Sequence, residues 1–499
     1  MMKKYLLIFC ALSLFSCDLF DTKEDEKDPN VKTFWAQDLA SEKFYQLEAN
    51  LLAEGRYCNV WVEKGSGVNA NTAREMANAY DNDIYQKMID TFSDKNFSFL
   101  GRPFPNIMSL ADALTDGDGK LTILLLDIKD TYHKGVNDSY VAGYFWVGNF
   151  FDVQNSNLCD MIYIDTYPGK PASEDSNMTL AHEMQHLMNF TTTVAKRSVV
   201  NVDNGRNEIT ALYLMDTWID EGLSSAAEWR YAGKHIEDKL SWFNNNGTSS
   251  MTGLIDRGNN FFVWGNYKDP PYPPYAILDE YATVYLFFQW LRLQAGSTSI
   301  YKEIITSDKD DHRAVINAIN KMPNQNYSDW EALLKTWLAA NYINAASGPY
   351  GYKGELDIKT STVPSGTTSL SLYPGEGVYS IIPNSFNLPS NGAKIRYASL
   401  DKISHAVGTS NTEGLTLLTF NSNTINYVEY NENGTIKTPI QTENGTTTGV
   451  SAPRGAVMSV GRSVSAPFTG PYRIDAGDLL RRSGSAGNFS VPLEIVIHD

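Results

Sequence analysis

Leu180-Ala181-His182-Glu183-Met184-Gln185-His186-Leu187-Met188-Asn189-Phe190 is the stretch on which the fold and chemistry of this chain turn. On a helix, positions i and i+4 share a face, so His182 and His186 can offer imidazole nitrogens to one metal ion. Glu183 sits one residue round from that pair, placed to take a proton from a water that the metal activates. Ser176 or Asn177 serves as N-cap. Met178, Leu180, Ala181, Leu187 and Met188 supply apolar surface, with no Pro or Gly before Phe190. The rival reading is a buried helix whose histidines only hydrogen-bond. It has to explain why two of only seven histidines flank a glutamate at this spacing.

Catalytic zinc usually takes three protein ligands and keeps one position for water. Downstream lies Asp216-Thr217-Trp218-Ile219-Asp220-Glu221-Gly222-Leu223-Ser224-Ser225-Ala226-Ala227-Glu228-Trp229. Asp216 can cap this segment, and Trp218, Leu223, Ala226 and Ala227 give it helical apolar spacing. Glu221 and Glu228 lie two turns apart on one face. They sit among Trp, Leu, Ala and Ser, where an unpaired charge is costly to bury. A metal, or a metal-bound histidine, would satisfy both.

HExxH followed by W-x-x-E-G-L-S resembles the zinc peptidases whose third ligand is a glutamate on a second helix. More narrowly, the chain resembles the hyicolysin-like family of secreted bacterial metallopeptidases. The likeness rests on residues 180–190, on Trp218-Ile219-Asp220-Glu221-Gly222-Leu223-Ser224 and on Cys159-Asp160-Met161-Ile162-Tyr163-Ile164-Asp165, and covers roughly residues 35–345. It implies a zincin-like fold, Glu221 as third ligand of a single zinc ion, and Glu228 as a supporting residue. Some glutamate zincins carry Asp one turn after the third ligand to orient a histidine; here that position is Ser225, so the outer shell must be built differently.

With 499 residues, 42% apolar and 12% aromatic, the chain can bury a large core and hold more than one domain. Lys3 and Lys4 precede the apolar run from Tyr5 to Phe15, and Leu14-Phe15-Ser16-Cys17 has the form of a lipobox. Residues 1–16 read as a signal peptide too short to span a membrane, with Cys17 the acylated residue by resemblance to bacterial lipoproteins. Residues 17–33 form an acidic tether. The expected location is outside the cell, lipid-anchored to the bacterial outer membrane or cell surface. The formal charge of −17 becomes −19 once Lys3 and Lys4 are removed, which argues against a nucleic-acid partner. Of four cysteines, Cys10 leaves with the signal. Cys58 and Cys159 remain, to form one disulfide in an exported protein or to stay as two buried thiols.

The fold class expected is α+β: a zincin-like catalytic domain over 34–347, then a β-sandwich over 348–499. Within the first, residues 34–175 read as α/β, with helices over Phe34 to Glu54 and Thr72 to Phe92. Strands are expected over Cys58 to Val62, Leu121 to Asp127, Val141 to Val147 and Asp160 to Ile164. Asp116-Gly117-Asp118-Gly119-Lys120 reads as a tight turn before a strand. A Ca2+ site is the open alternative, although the EF-hand pattern fails at Leu121. Val141 to Trp146 is the candidate edge strand for an extended peptide, with an ordinary core strand as the equal alternative. Residues 176–347 read as helical. Leu278 to Gln294 ends at Gly296, and Ser328-Asp329-Trp330-Glu331 is a capping box. Past Gly348, short alternating runs and Asn-Gly turns suggest the sandwich.

These residues point to zinc-assisted hydrolysis of peptide bonds in proteins or peptides, with Glu183 as general base, and the family resemblance implies an endopeptidase. Tyr281 or Tyr285, four residues apart on one helix, can hold the oxyanion, with core packing as the plainer role for either. His235 is the weaker candidate. Two other readings share the same residues: a zinc hydrolase for glycosylated or cell-wall peptides, and a non-catalytic surface-anchored binding lipoprotein that keeps the scaffold.

Overall fold

The computed structural model describes residues 28–93, 118–136, 140–150, 154–203, 206–212, 214–244 and 278–360, with shorter stretches between 362 and 498. The signal segment, Cys17, and the tether through residue 27 lie outside the described residues. The strands are β1 (Val31–Asp38), β2 (Lys43–Glu54), β3 (Cys58–Glu63), β4 (Leu121–Leu126), β5 (Tyr140–Trp146), β6 (Met161–Asp165), β7 (Ser198–Asp203), β8 (Arg206–Leu212), β9 (Gly377–Ile381), β10 (Ile395–Asp401), β11 (Ala406–Gly408), β12 (Thr416–Asn421), β13 (Ile440–Gln441), β14 (Thr447–Thr448) and β15 (Leu493–His498). The helices are α1 (Ala70–Ala79), α2 (Tyr85–Phe92), α3 (Glu174–Lys196), α4 (Thr217–Ala232), α5 (Glu237–Phe243), α6 (Leu278–Ala295), α7 (Ser299–Ile305), α8 (His312–Ile319) and α9 (Trp330–Ile343).

Seven strands make one mixed sheet in the order β1-β2-β3-β4-β6-β5-β15. Its centre, β3-β4-β6, is parallel, and the remaining pairings are antiparallel. Both faces are covered, which is why β4 reads as the nearly continuous apolar run Leu-Thr-Ile-Leu-Leu-Leu, with Thr122 buried as well. Leu121, Ile123 and Leu125 join the core shared with the helices, while Leu124 and Leu126 join a smaller cluster on the other face with Phe34, Trp61 and Tyr163.

The helix expected over Phe34 to Glu54 is instead the hairpin β1–β2. Its pairing sets Phe34 against Leu47 and Ala36 against Tyr45, and Phe34, Ala36, Leu47 and Ala49 fill the second face at period two. Leu, Ala and Glu in β2 favour a helix locally, but burial of alternate side chains decides the outcome. The helical stretch 72–92 divides into α1, a π-turn at Tyr80–Ile84, and α2.

β5 is not an edge strand, because β15 pairs with it from the outside, setting Leu493 against Trp146 and His498 against Tyr140. An open edge would leave a row of unpaired backbone groups, which β15 covers. That strand was expected in the C-terminal sandwich. Among the described residues the region past 348 shows one four-stranded sheet, β11-β10-β12-β9, and the small β13–β14 pair. It shares the helical core: Tyr379 donates to the Leu338 carbonyl and Thr416 to the Tyr342 hydroxyl, both at 2.6 Å. Of the region in which short alternating runs were expected, residues 424–439 and the Asn-Gly turns lie outside the described residues.

Cys58 and Cys159 are both buried and not joined in a disulfide, so the disulfide alternative does not hold. They belong to different core clusters, and β4 separates the strands they flank. Two strand spacings, roughly 9–10 Å, exceed disulfide reach. Burial pushes the Cys58 thiol well up from its usual value. Asp118 accepts from the Lys120 backbone N–H at 2.7 Å and from Asn59 at 3.0 Å, while Asp116 and Gly117 lie outside the described residues. Among the described residues no helix is long and apolar enough to cross a membrane.

Candidate metal centre

α3 starts three residues before the expected cap: Ser173 caps it, its hydroxyl accepting from the Ser176 N–H at 3.2 Å. The helix continues past Phe190 to Lys196 and runs through the core, so that even its polar residues are buried. His182, Glu183 and Gln185 are fully buried and His186 is 1% exposed. Polar groups buried this way need partners, and α4 supplies most of them.

His182 Nδ1 lies 2.5 Å from Glu228 Oε1, and His186 Nδ1 lies 3.0 Å from Asp220 Oδ2. Each carboxylate accepts the Nδ1 proton, which fixes the tautomer and leaves Nε2 as the basic nitrogen. The two Nε2 atoms turn toward Glu221: its Oε2 is 3.3 Å from His182 Nε2 and 3.8 Å from His186 Nε2. These three residues offer donor atoms within 4.8 Å of one another. A tetrahedral zinc with bonds of about 2.0–2.2 Å sets its ligands about 3.3–3.6 Å apart.

The donor set therefore fits a metal. His182 Nε2 and Glu221 Oε2 are buried and make no hydrogen bond, although carboxylate and imidazole groups in such surroundings are normally satisfied. Glu221 Oε1 accepts from Tyr281 at 3.4 Å. Among the described residues no other group of His, Cys, Asp and Glu meets the same criterion.

Burial alone would raise the Glu228 carboxyl. Lys239 beside it, with its Nζ 2.7 and 2.8 Å from the two oxygens, and the His182 imidazole pull it down to about 2. Burial, with the negative charges of Glu221 and Glu183 nearby, lifts the Tyr281 hydroxyl far above its ordinary value, so it stays a neutral donor. Tyr285 is elsewhere engaged. Its hydroxyl accepts the Ile236 N–H at 3.1 Å and lies 2.9 Å from His235 Nδ1, so it fastens the start of α5. His235 also contacts Glu355 at 2.8 Å and has no part in the Glu221 cluster. The structure thus brings together His182, Glu183, His186, Glu221, Glu228 and Tyr281, and sets Tyr285 apart.

Several partners have weaker marks in sequence. Asp220 takes the role that the expected pattern gave to the Ser225 position, and does so from the residue just before Glu221. Ser225 Oγ instead accepts from Lys239 at 3.0 Å. Ser224 Oγ donates to Gln185 Oε1 at 2.5 Å and lies 3.0 Å from His186 Nδ1. Asn189 donates to Asp220 and in turn accepts from Arg197. An acid directly preceding Glu221 on an apolar helix was a usable signal for Asp220; Lys239 and Arg197 carried none.

No protein-family model matches the chain. It is similar to the neutral metalloprotease ShpI of Staphylococcus hyicus, 28% identical over 333 residues. The match covers 65% of this chain and 65% of that protein.

Proposed function

We propose that the protein is a zinc-dependent endopeptidase that hydrolyses peptide bonds of proteins outside the cell membrane. One observation carries this reading: His182, His186 and Glu221 aim three buried donors at one point, beside Glu183 on the same helix. The similarity to a neutral metalloprotease points the same way. Zinc held by these three residues would supply Lewis acidity, lowering the pKa of the attacking water toward neutrality and polarising the scissile carbonyl.

The chain's own groups do the rest. Glu228 and Asp220 hold the two imidazoles with Nε2 toward Glu221, where His182, His186 and Glu221 would hold the metal. Glu183 accepts the proton of the attacking water and delivers it to the leaving amine. Tyr281, kept protonated, turns its hydroxyl from Glu221 to the carbonyl oxygen as negative charge develops there. The buried walls of α3, α4 and α6 keep bulk water from the charges as they form. Acylation at Cys17 would tether the enzyme to the membrane, leaving the folded part free at the surface.

The test compares cleavage of a peptide library by residues 31–499 with cleavage by the Glu183→Gln variant, with bound zinc measured in both. Internal cleavage lost in the variant at unchanged zinc content supports the assignment. A zinc-loaded wild type that cleaves nothing refutes it.

A further inference from the structure

Four acidic side chains crowd the metal centre: Glu183, Asp220, Glu221 and Glu228, none more than 6% exposed. A divalent ion offsets two of these charges, and buried charge left without a partner is strongly destabilising. The protein sets a cation behind each histidine arm. On the His186 arm, Arg197 Nη2 donates to Asn189 at 3.0 Å, and Asn189 donates to Asp220. Arg197 Nη1 is anchored on the carbonyls of Ile305 at 2.8 Å and Ser307 at 3.1 Å, so this arm is built into the core.

The His182 arm is shorter and more open. Lys239 Nζ straddles both oxygens of Glu228 and holds Ser225, from a side chain 16% exposed on the short helix α5. The same Nζ lies 5.9 Å from the Tyr281 ring centroid and 5.8 Å from that of Tyr285. Lys239 therefore ties the carboxylate behind His182 to the ring of the tyrosine that faces Glu221.

We infer that Lys239 is a positioning residue of the metal centre: it holds Glu228 with one oxygen on His182 Nδ1–H, which keeps Nε2 as the bare donor toward the metal. The inference rests on His182, His186 and Glu221 being the metal ligands. Three properties of the full-length protein report on it: zinc affinity against a competing chelator, 15N imidazole tautomers of the metal-free protein, and kcat and KM on a cleaved peptide.

Lys239→Met lowers zinc affinity by about 10–100-fold and depopulates the Nδ1–H tautomer of His182. It lowers kcat more than it changes KM. Lys239→Arg restores most of the loss, because a guanidinium can engage both carboxylate oxygens. Lys239→Met strands a buried carboxylate and can cost the fold, so it is paired with Lys239→Met/Glu228→Gln, which removes both charges. That double variant loses no more zinc affinity than Glu228→Gln alone.

A folded Lys239→Met protein with wild-type zinc affinity and an unchanged His182 tautomer overturns the inference. So does a full further loss when Lys239→Met is added to Glu228→Gln. Wild-type protein that takes up no zinc sinks the metal assignment instead, and the His182 tautomer in the metal-free protein then decides the matter for Lys239.

Discussion

Gly222→Ala is the substitution whose effect follows most directly from the packing around the metal ligands. Gly222 follows Glu221 on α4, where α4 crosses α6. A Cβ there would lie 2.2 Å from Phe288 Cε2 and 2.4 Å from its Cδ2. Ordinary contact begins at 3.4 Å, so something must move by about 1.2 Å. The ring has little freedom to do so: Phe288 is fully buried, with ring contacts to Trp218, Phe287 and Tyr301. The helices must separate, and Glu221 moves with α4. Alanine gains about 0.5–1 kcal/mol over glycine in a helix interior, against about 1–3 kcal/mol for overpacking. The net expectation is a loss of about 1–2 kcal/mol, a fall of a few degrees in Tm. A ligand displaced by about 1 Å costs on the order of 100-fold in kcat/KM, with weaker zinc binding. Thermal melts, zinc competition titrations and peptide cleavage read these effects. Phe288→Leu in the Gly222→Ala background relieves the contact and recovers zinc affinity. If Gly222→Ala binds zinc and melts as the wild type does, the α4–α6 seam does not set the position of Glu221.

Three further outcomes follow from the geometry. Chelation lowers Tm by several degrees and added Zn2+ restores it, since a ligand at 100 times its Kd stabilises by about 2.7 kcal/mol; Glu221→Ala should be insensitive to the chelator. Tyr281→Phe lowers kcat by about 100-fold or more with KM little changed, whereas Tyr285→Phe leaves kcat near wild type and lowers Tm, having left the Ile236 N–H without its acceptor; equal kcat losses in both would contradict the separation of the two tyrosines. Burial raises the Asp165 carboxyl to about 7, despite the N–H groups of Gly169 and Ile128 on it. Between about 4, its unfolded value, and about 7 the folded chain keeps a proton that the unfolded chain has released. Its contribution is therefore full below pH 4 and is lost as pH rises toward 7, on the order of 1–3 kcal/mol. Measured against pH, the melting curve of Asp165→Asn should lack this decline, and parallel curves would contradict it.

The parts legible in sequence were those whose chemistry is local. His182, Glu183 and His186 lie within one and a half helical turns, and Glu221 and Glu228 share one face of a second helix, so helical geometry alone relates them. β3, β4 and β6 announced themselves as apolar runs. Phe34 to Glu54 was misread because helix-favouring residues there serve a period-two pattern, visible only once the partner strand is known. Tyr281 and Tyr285 are indistinguishable by spacing, and only α5 separates them by taking the Tyr285 hydroxyl. Lys239 reaches Glu228 from the next helix and Arg197 reaches Asp220 only through Asn189, and nothing in their neighbourhoods marks them.

The pairing of β15 with β5 also sets an order in time. A chain made from its N-terminus has every other strand of the main sheet in hand by Asp165, yet the outer edge of β5 stays bare until residues 493–498 arrive. In that interval the exposed edge is a template for any extended segment, including one from another copy. Closing the sheet across most of the chain's length is a non-local contact of the slow kind. The strand beside the HExxH helix is thus covered only after residues 493–498 have been made.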